Sequence, residues 1–170
     1  MKIAFYLSVM FFVGCTQKED KPKDINWSKE KSMELNKTIA GEEKIAIKLF
    51  LEGHKNWKMN ETGSGLQYYI YKNGSGNQPK EGSVVDVEYS ISLLDGTKCY
   101  ETKSDEVVEL VVDHSQVETG VQEGLKKMKV GDHVKMIIPS HLAHGLTGDL
   151  DKIPPLTPIV VDLHLIEIVK

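Results

Sequence analysis

The stretch from Val85 to Leu93 constrains the fold most: Val85, Val87, Tyr89, Ile91 and Leu93 alternate with Asp86, Glu88, Ser90 and Ser92. A period of two places the apolar set on one face of an extended strand and the polar set on the other, so the strand has one face to bury. One-sided strands of this kind belong to antiparallel sheets. The run ends at Leu94-Asp95-Gly96, a turn signal. Alternation returns in Val134, Met136 and Ile138 and in Ile159, Val161, Leu163 and Leu165, and further strands are predicted over 66–72 and 107–112. Between them Val117, Val121, Leu125 and Met128 keep helical spacing, with Gly120 and Gly124 thinning one side of a short element. Strands, one short helix, then strands predict an α+β domain whose twisted, mostly antiparallel sheet wraps on that helix.

A chain of 170 residues has room for one such domain and an extension. The cluster Asn60, Thr62, Gly63, Ser64, Gly65 marks the boundary, giving a domain over 60–170. Upstream, 27–59 is rich in Lys, Glu, Leu, Ile and Ala and contains no proline, which predicts a helical extension. Two helices are expected, over 28–38 and 42–55, with Ser28 capping the first and Glu42 and Glu43 suiting the positive end of the second. Ile45 and Leu49, and Ile47 and Leu51, recur four residues apart. Phe50, Leu51 and Trp57 need cover, either from the following domain or from a second copy in a homodimer.

The chain opens with Met1 and Lys2, an apolar run over 3–13, then Gly14 and Cys15. This reads as an export signal over 1–14, since the run is far below the roughly 20 apolar residues of a membrane-spanning helix. Phe12-Val13-Gly14-Cys15 resembles the lipobox of bacterial lipoproteins, with Phe12 where that box usually has Leu, and implies lipidation of Cys15. The alternative is an ordinary signal peptide with an incidental cysteine, although the A-x-A pattern of ordinary cleavage sites is absent. Lipidation would leave Cys99 as a single thiol, so no disulfide framework is expected. The polar segment 15–26, broken by Pro22, reads as a tether. Its acidic, Lys-containing start resembles the surface-export signals of some Bacteroidetes lipoproteins, though a solvated linker has the same composition. Hydrophobic residues at 40% and charged residues at 27% fit a globular protein, and a net charge of -4 without a basic stripe excludes a nucleic-acid partner.

Nine short strings carry a family resemblance across 64–170. Ser64-Gly65-Leu66-Gln67-Tyr68, Val87-Glu88-Tyr89, Leu94-Asp95-Gly96-Thr97, Gly120-Val121-Gln122-Glu123-Gly124-Leu125, Met128-Lys129-Val130-Gly131-Asp132, Ile138-Pro139-Ser140, Gly145-Leu146-Thr147-Gly148, Ile153-Pro154-Pro155 and Val161-Asp162-Leu163 follow in order. Together they resemble the successive signatures of FKBP-type peptidyl-prolyl isomerase domains. With the lipobox and the helical extension, the whole chain resembles the gliding-motility-associated, FKBP-like lipoproteins of Bacteroidetes. The resemblance implies an enzyme of the bacterial cell envelope, lipid-anchored on the periplasmic face or the cell surface. It would act on proline-containing segments of exported proteins and need no cofactor or metal.

An X-Pro bond is a tertiary amide with a slight trans preference and slow rotation, because rotation breaks resonance. Its catalysis needs no nucleophile, metal or proton relay. A dry apolar bowl favours the twisted amide, whose charge is less separated. By resemblance Tyr89 is a pocket tyrosine, Val117 a pocket valine and Ile153 an apolar residue of the overhanging loop. The family's aromatic and aspartate after the Asp-Gly turn are here Cys99 and Tyr100, its floor tryptophan is Val121, and a wall phenylalanine is Val161. Its carbonyl-binding tyrosine is His144, which can still donate through a ring nitrogen. Tyr100 is expected to supply a missing aromatic face, and Val108 and Glu118 complete the implied wall.

Each position also has a plainer account. Tyr89, Val121 and Val161 would serve equally as core residues, and His144 as a loop residue. His141 and His144 stand three apart without a further ligand at suitable spacing, and Ser140-His141 lacks the distant partners of a triad, so neither metal nor hydrolase chemistry is supported. Besides the isomerase, a non-catalytic binding or chaperone module of an envelope complex and a structural role centred on the extension remain open.

Overall fold

The computed structural model describes residues 28–104 and 106–170. The expected signal peptide, the Cys15 lipidation site and the tether lie outside the described residues. Chain order is α1 (Lys29–Gly53), β1 (Asn60–Glu61), β2 (Gln67–Lys72), β3 (Val84–Leu93), β4 (Lys98–Glu101), β5 (Val108–Val111), α2 (Thr119–Leu125), β6 (His133–Ile138), a 3-10 turn (Ser140–Leu142) and β7 (Ile159–Ile168). The strands form one sheet in the order β1-β2-β6-β7-β3-β4, with β5 also on β3. Every pairing is antiparallel. The α+β architecture predicted from the alternation is the one observed.

The two ten-residue strands β3 and β7 pair from Val85 opposite Ile168 to Leu93 opposite Ile159. The other edge of β3 is divided: β5 takes Val84 to Val87 and β4 takes Ser90 to Ser92. Val85, Val87, Leu163, Leu165, Met136 and Ile138 are buried on the inner face and pack with Val121 and Leu125 of α2. The glycines of α2 permit this contact. A Cβ on Gly120 would lie 2.4 Å from Ile138 Cγ2, and one on Gly124 would lie 2.1 Å from Met136 Sδ, so only a bare helix face can rest on β6 this closely.

The extension differs from expectation in one respect. It is a single helix of 25 residues, where two helices were expected. Its start is capped as predicted, with Ser28 Oγ accepting from the Lys31 N–H at 3.3 Å. Helix continues through Ala40-Gly41-Glu42 because a lone glycine weakens a helix by only about 1 kcal/mol and Gly41 faces open space. No proline interrupts the hydrogen bonds.

Of the two apolar rows on α1, the one through Ile47 is used. Ile47, Ile137 and Val160 are buried as a second cluster, with Phe50, Leu51, Trp57 and Met59 packed against them. Ile137 and Val160 are outward positions on β6 and β7, so the cover that Phe50, Leu51 and Trp57 require comes from the outer face of the chain's own sheet. Ile45 and Leu49 stay exposed, at 62% and 60%.

A fragment beginning at Gly63 keeps the inner core and loses the two-residue strand β1 together with the lid over Ile137 and Val160. Uncovering two aliphatic side chains at about 1.5 kcal/mol each predicts a fragment about 3 kcal/mol less stable than the full chain, still unfolding in one transition. Chemical denaturation followed by circular dichroism tests this. A fragment without a cooperative transition would make α1 an obligatory part of the core.

Candidate functional site

The inner face of the sheet is not fully covered by α2. Beyond the N-terminal end of that helix a cavity of about 610 Å³ opens, ringed by the segment 116–119 and the loop after the 3-10 turn. Strand alternation builds its walls. Tyr89 and Ile91 come from β3, Val161 and Leu163 from β7, Val108 and Leu110 from β5, and Tyr100 from β4. Val121 of α2 lies at the bottom, and Val117, Glu118, Ala143, His144 and Asp149 form the rim. The register explains the convergence, since Tyr89 stands opposite Leu163 and Ile91 opposite Val161 on one face of the paired strands.

Eight of the ten expected pocket residues meet here: Tyr89, Tyr100, Val108, Val117, Glu118, Val121, His144 and Val161. Ile153 and Cys99 do not reach the wall. They are 2% and 4% exposed and belong to the core behind it. The loop itself draws Ile153 inward: Leu150 adopts a left-handed backbone with φ 64°, and the carboxylate of Asp149 gathers the turn beneath it. Oδ1 of Asp149 accepts from the backbone N–H of Asp151 at 2.9 Å and of Ile153 at 2.8 Å. Cys99 is flanked by the Thr97 and Lys152 carbonyls, and burial foremost pushes its thiol up, with the charge of Asp149 adding to that.

Sequence reasoning missed Ile91, Leu110, Leu163, Ala143 and Asp149. The first three share the inward periodicity of residues that were identified and could have been found by it. Asp149 carries no local signal, because its role depends on a partner far away in the chain.

That partner is Tyr100. Its hydroxyl donates to Asp149 Oδ2, and Asp151 Oδ2 lies 3.4 Å away. Lys152 Nζ sits 4.7 Å from the centre of the Tyr100 ring and donates to the Cys99 carbonyl at 2.9 Å. Tyr100 is therefore held in the wall, as an aromatic face there requires. The bond to Asp149 foremost, then burial and the two nearby carboxylates, raises the pKa of the phenol. Burial pushes Asp149 upward, but the bonds from Tyr100, Asp151 and Ile153 and the neighbouring His144 outweigh it and hold the carboxyl down at about 2.

Across the rim His144 Nε2 lies 3.0 Å from Glu118 Oε1. The nitrogen is shielded from solvent and has no aligned hydrogen-bond partner. Glu118 is thus the nearest acceptor to that nitrogen. His141 points elsewhere, its Nε2 3.0 Å from the Ser64 carbonyl. Among the described residues no three potential metal ligands come together.

Because Asp149 falls from its ordinary 3.8 to about 2 on folding, its contribution to stability is complete above about pH 4 and is lost as pH falls toward 2. Asp149→Asn should lower the melting temperature at neutral pH and flatten its decline over this acid range. Thermal unfolding across the range checks the sign, and an unchanged acid slope would contradict it.

A family model described as FKBP-type peptidyl-prolyl cis-trans isomerase matches residues 75–166. The chain is 36% identical over 139 residues to a probable FKBP-type peptidyl-prolyl cis-trans isomerase, FkpA, of Neisseria meningitidis, covering 81% of this chain and 51% of that one. It is 38% identical over 130 residues to FkpA of Aeromonas hydrophila, covering 76% of this chain and 46% of the relative. It therefore spans about half the length of these curated relatives. Among solved structures, FkpA of Escherichia coli superposes with a TM-score of 0.66 at 29% identity, over 81% of this chain and 63% of that one. A peptidyl-prolyl cis-trans isomerase of Pseudomonas syringae superposes with a TM-score of 0.64 at 27% identity, over 75% of this chain and 93% of that one. With more than half of the chain inside the family model and the sheet, helix and bowl in place, this protein belongs to the FKBP-type peptidyl-prolyl cis-trans isomerase family.

Proposed function

We propose that the domain catalyses cis/trans isomerisation of X-Pro bonds in exported proteins, using the bowl between Tyr89, Tyr100 and Val117. The observation that carries this reading is the chemistry of that cavity: a mostly apolar lining, two tyrosines, and a few polar side chains, among them Glu118, His144 and Asp149. A pyrrolidine ring entering it leaves water and packs on the tyrosine faces. The planar amide keeps its charge separation and gains little there, whereas the twisted amide has a less polar carbonyl and is favoured by the apolar wall. His144 is the donor to a substrate carbonyl, exchanging its contact with Glu118 for one with the substrate. Ile153 and Cys99 act from behind, fixing the loop and β4.

A second reading is a binding module without turnover. It is favoured by Val121 at the floor, where the family resemblance implies tryptophan, and by histidine in place of the donor tyrosine. In both readings the finer setting is a lipid-anchored protein of the bacterial envelope, similar to gliding-motility-associated lipoproteins, and rests on Gly14-Cys15. No helix among the described residues is long and apolar enough to cross a membrane. The exposed Met33, Leu35, Ile45 and Leu49 of α1 support a homodimer through the extension.

Mass spectrometry of membrane-purified protein should find a diacyl or triacyl mass on Cys15, and a mature chain beginning elsewhere would contradict the anchor. The catalytic reading predicts measurable but weak turnover of proline peptides, with Tyr89→Ala lowering it. A hydrogen bond felt mainly in the transition state contributes about 1 to 2 kcal/mol, so His144→Tyr should raise the rate about five- to thirtyfold. Protease-coupled or NMR-exchange assays measure both. A folded parent and a folded His144→Tyr that are both inactive would favour the binding module.

A further inference from the structure

One buried ionisable group has no part in the proposed chemistry, and it joins the extension to the rim of the bowl. Glu43, midway along α1, is 8% exposed. A carboxylate in that setting must be hydrogen-bonded. Both of its donors come from one residue of the domain: the Ser140 backbone N–H donates to Oε2 at 3.0 Å, and the Ser140 hydroxyl donates to Oε1. The carbonyl of Ser140 in turn accepts from the N–H groups of Ala143 at 3.0 Å and Gly145 at 2.8 Å. These two residues flank His144. The turn that carries His144 therefore closes on Ser140, and Ser140 is fastened from its other side by α1.

We propose that Glu43 is a positioning residue for the bowl: through Ser140 it sets the turn that holds the His144 ring against Glu118 in the lining of the cavity, so the helical extension is a working part of the substrate site. Three features of this linkage support the assignment. The contact is polar and directional, whereas the remainder of the α1 interface near Ile47, Phe50 and Trp57 is apolar and tolerates sliding. It uses both donors of Ser140, which fixes the orientation of that residue as well as its distance. It also ends on an imidazole whose Nε2 is shielded from solvent 3.0 Å from the Glu118 carboxylate, and such a contact depends on where the ring is held. The consequence for rate rests on the isomerase reading, but the geometric linkage does not.

The test uses the full chain and reads the His144 ring by NMR, assigned through a His144→Gln variant, alongside turnover of proline peptides. In Glu43→Ala the ring resonances should shift and broaden, and kcat/KM should fall about tenfold. Glu43→Gln keeps the volume and one acceptor oxygen, and should recover part of each effect. Ser140→Ala should act in the same direction, and adding it to Glu43→Ala should change little more, since both break one linkage. Ile47→Val trims the apolar side of the same interface and should leave the His144 signals in place. Unmoved His144 resonances in a folded Glu43→Ala, or in Glu43→Gln and Ser140→Ala should that variant not fold, would overturn the inference. An inactive parent whose His144 signals still respond to Glu43 would remove the isomerase reading and leave the linkage standing.

Discussion

The pairing of β3 with β7 is the constraint on which the rest depends. Nine residues of β3 face partners on β7, and a slip of β3 by one residue would turn Tyr89 and Ile91 to the outer face, away from Val161 and Leu163. That slip is opposed by the inner core, where Val85, Val87, Leu163 and Leu165 are almost wholly buried. The same register that closes the core thus opens the bowl. Wall and core are successive stretches of the same inward rows, with α2 covering one stretch and leaving the next free.

The outer face is handled differently. Lys135 and Asp162 sit side by side there as a half-exposed ion pair, and His133 and His164 stack with centroids 3.8 Å apart. Ile137 and Val160 are buried apolar positions on this face, and α1 lies over them. Apolar contact supplies the affinity of the extension for the sheet, while Glu43 supplies a fixed point. The pattern suits an element that must be both attached and aligned, since burial is roughly proportional to area and indifferent to orientation, and a two-pronged hydrogen bond is not.

Much of this was legible in the sequence, for a reason that also marks where legibility ended. A period of two is a local property, so β3, β6 and β7 and the inward set Tyr89, Val121 and Val161 could be read from spacing and resemblance. The break expected near Gly41 was a local reading too, but there tertiary packing along the Ile47 row and an uninterrupted hydrogen-bond ladder override a single glycine. Ile153 was read as part of the overhanging loop and Cys99 as wall, and both side chains are buried in the core. Their placement is decided by the carboxylate of Asp149, which binds the turn over 149–153 on one side and Tyr100 on the other. Glu43 and Ser140 are 97 positions apart in the chain and meet through the same kind of contact. Polar pairs across such distances leave no periodic trace, and they decide the loop that carries the site.

Val121 and Val161, which stand where the family resemblance implies aromatic residues, acquire a physical sense from the rest of the site. Isomerisation asks the wall to be apolar and dry, and does not ask any one side chain to transfer a proton. An aliphatic floor meets the first demand, though with less contact area than a tryptophan would give. Polarity is harder to relocate, because a buried donor must be aimed and an unaimed one is a liability. The structure accordingly places its fixed hydrogen bonds around the rim: Tyr100 with Asp149, Asp149 with the turn, Ser140 with Glu43. Apolar residues can drift at the floor while the rim is held by pairs, so the precision of the site resides in its margin rather than in its depth.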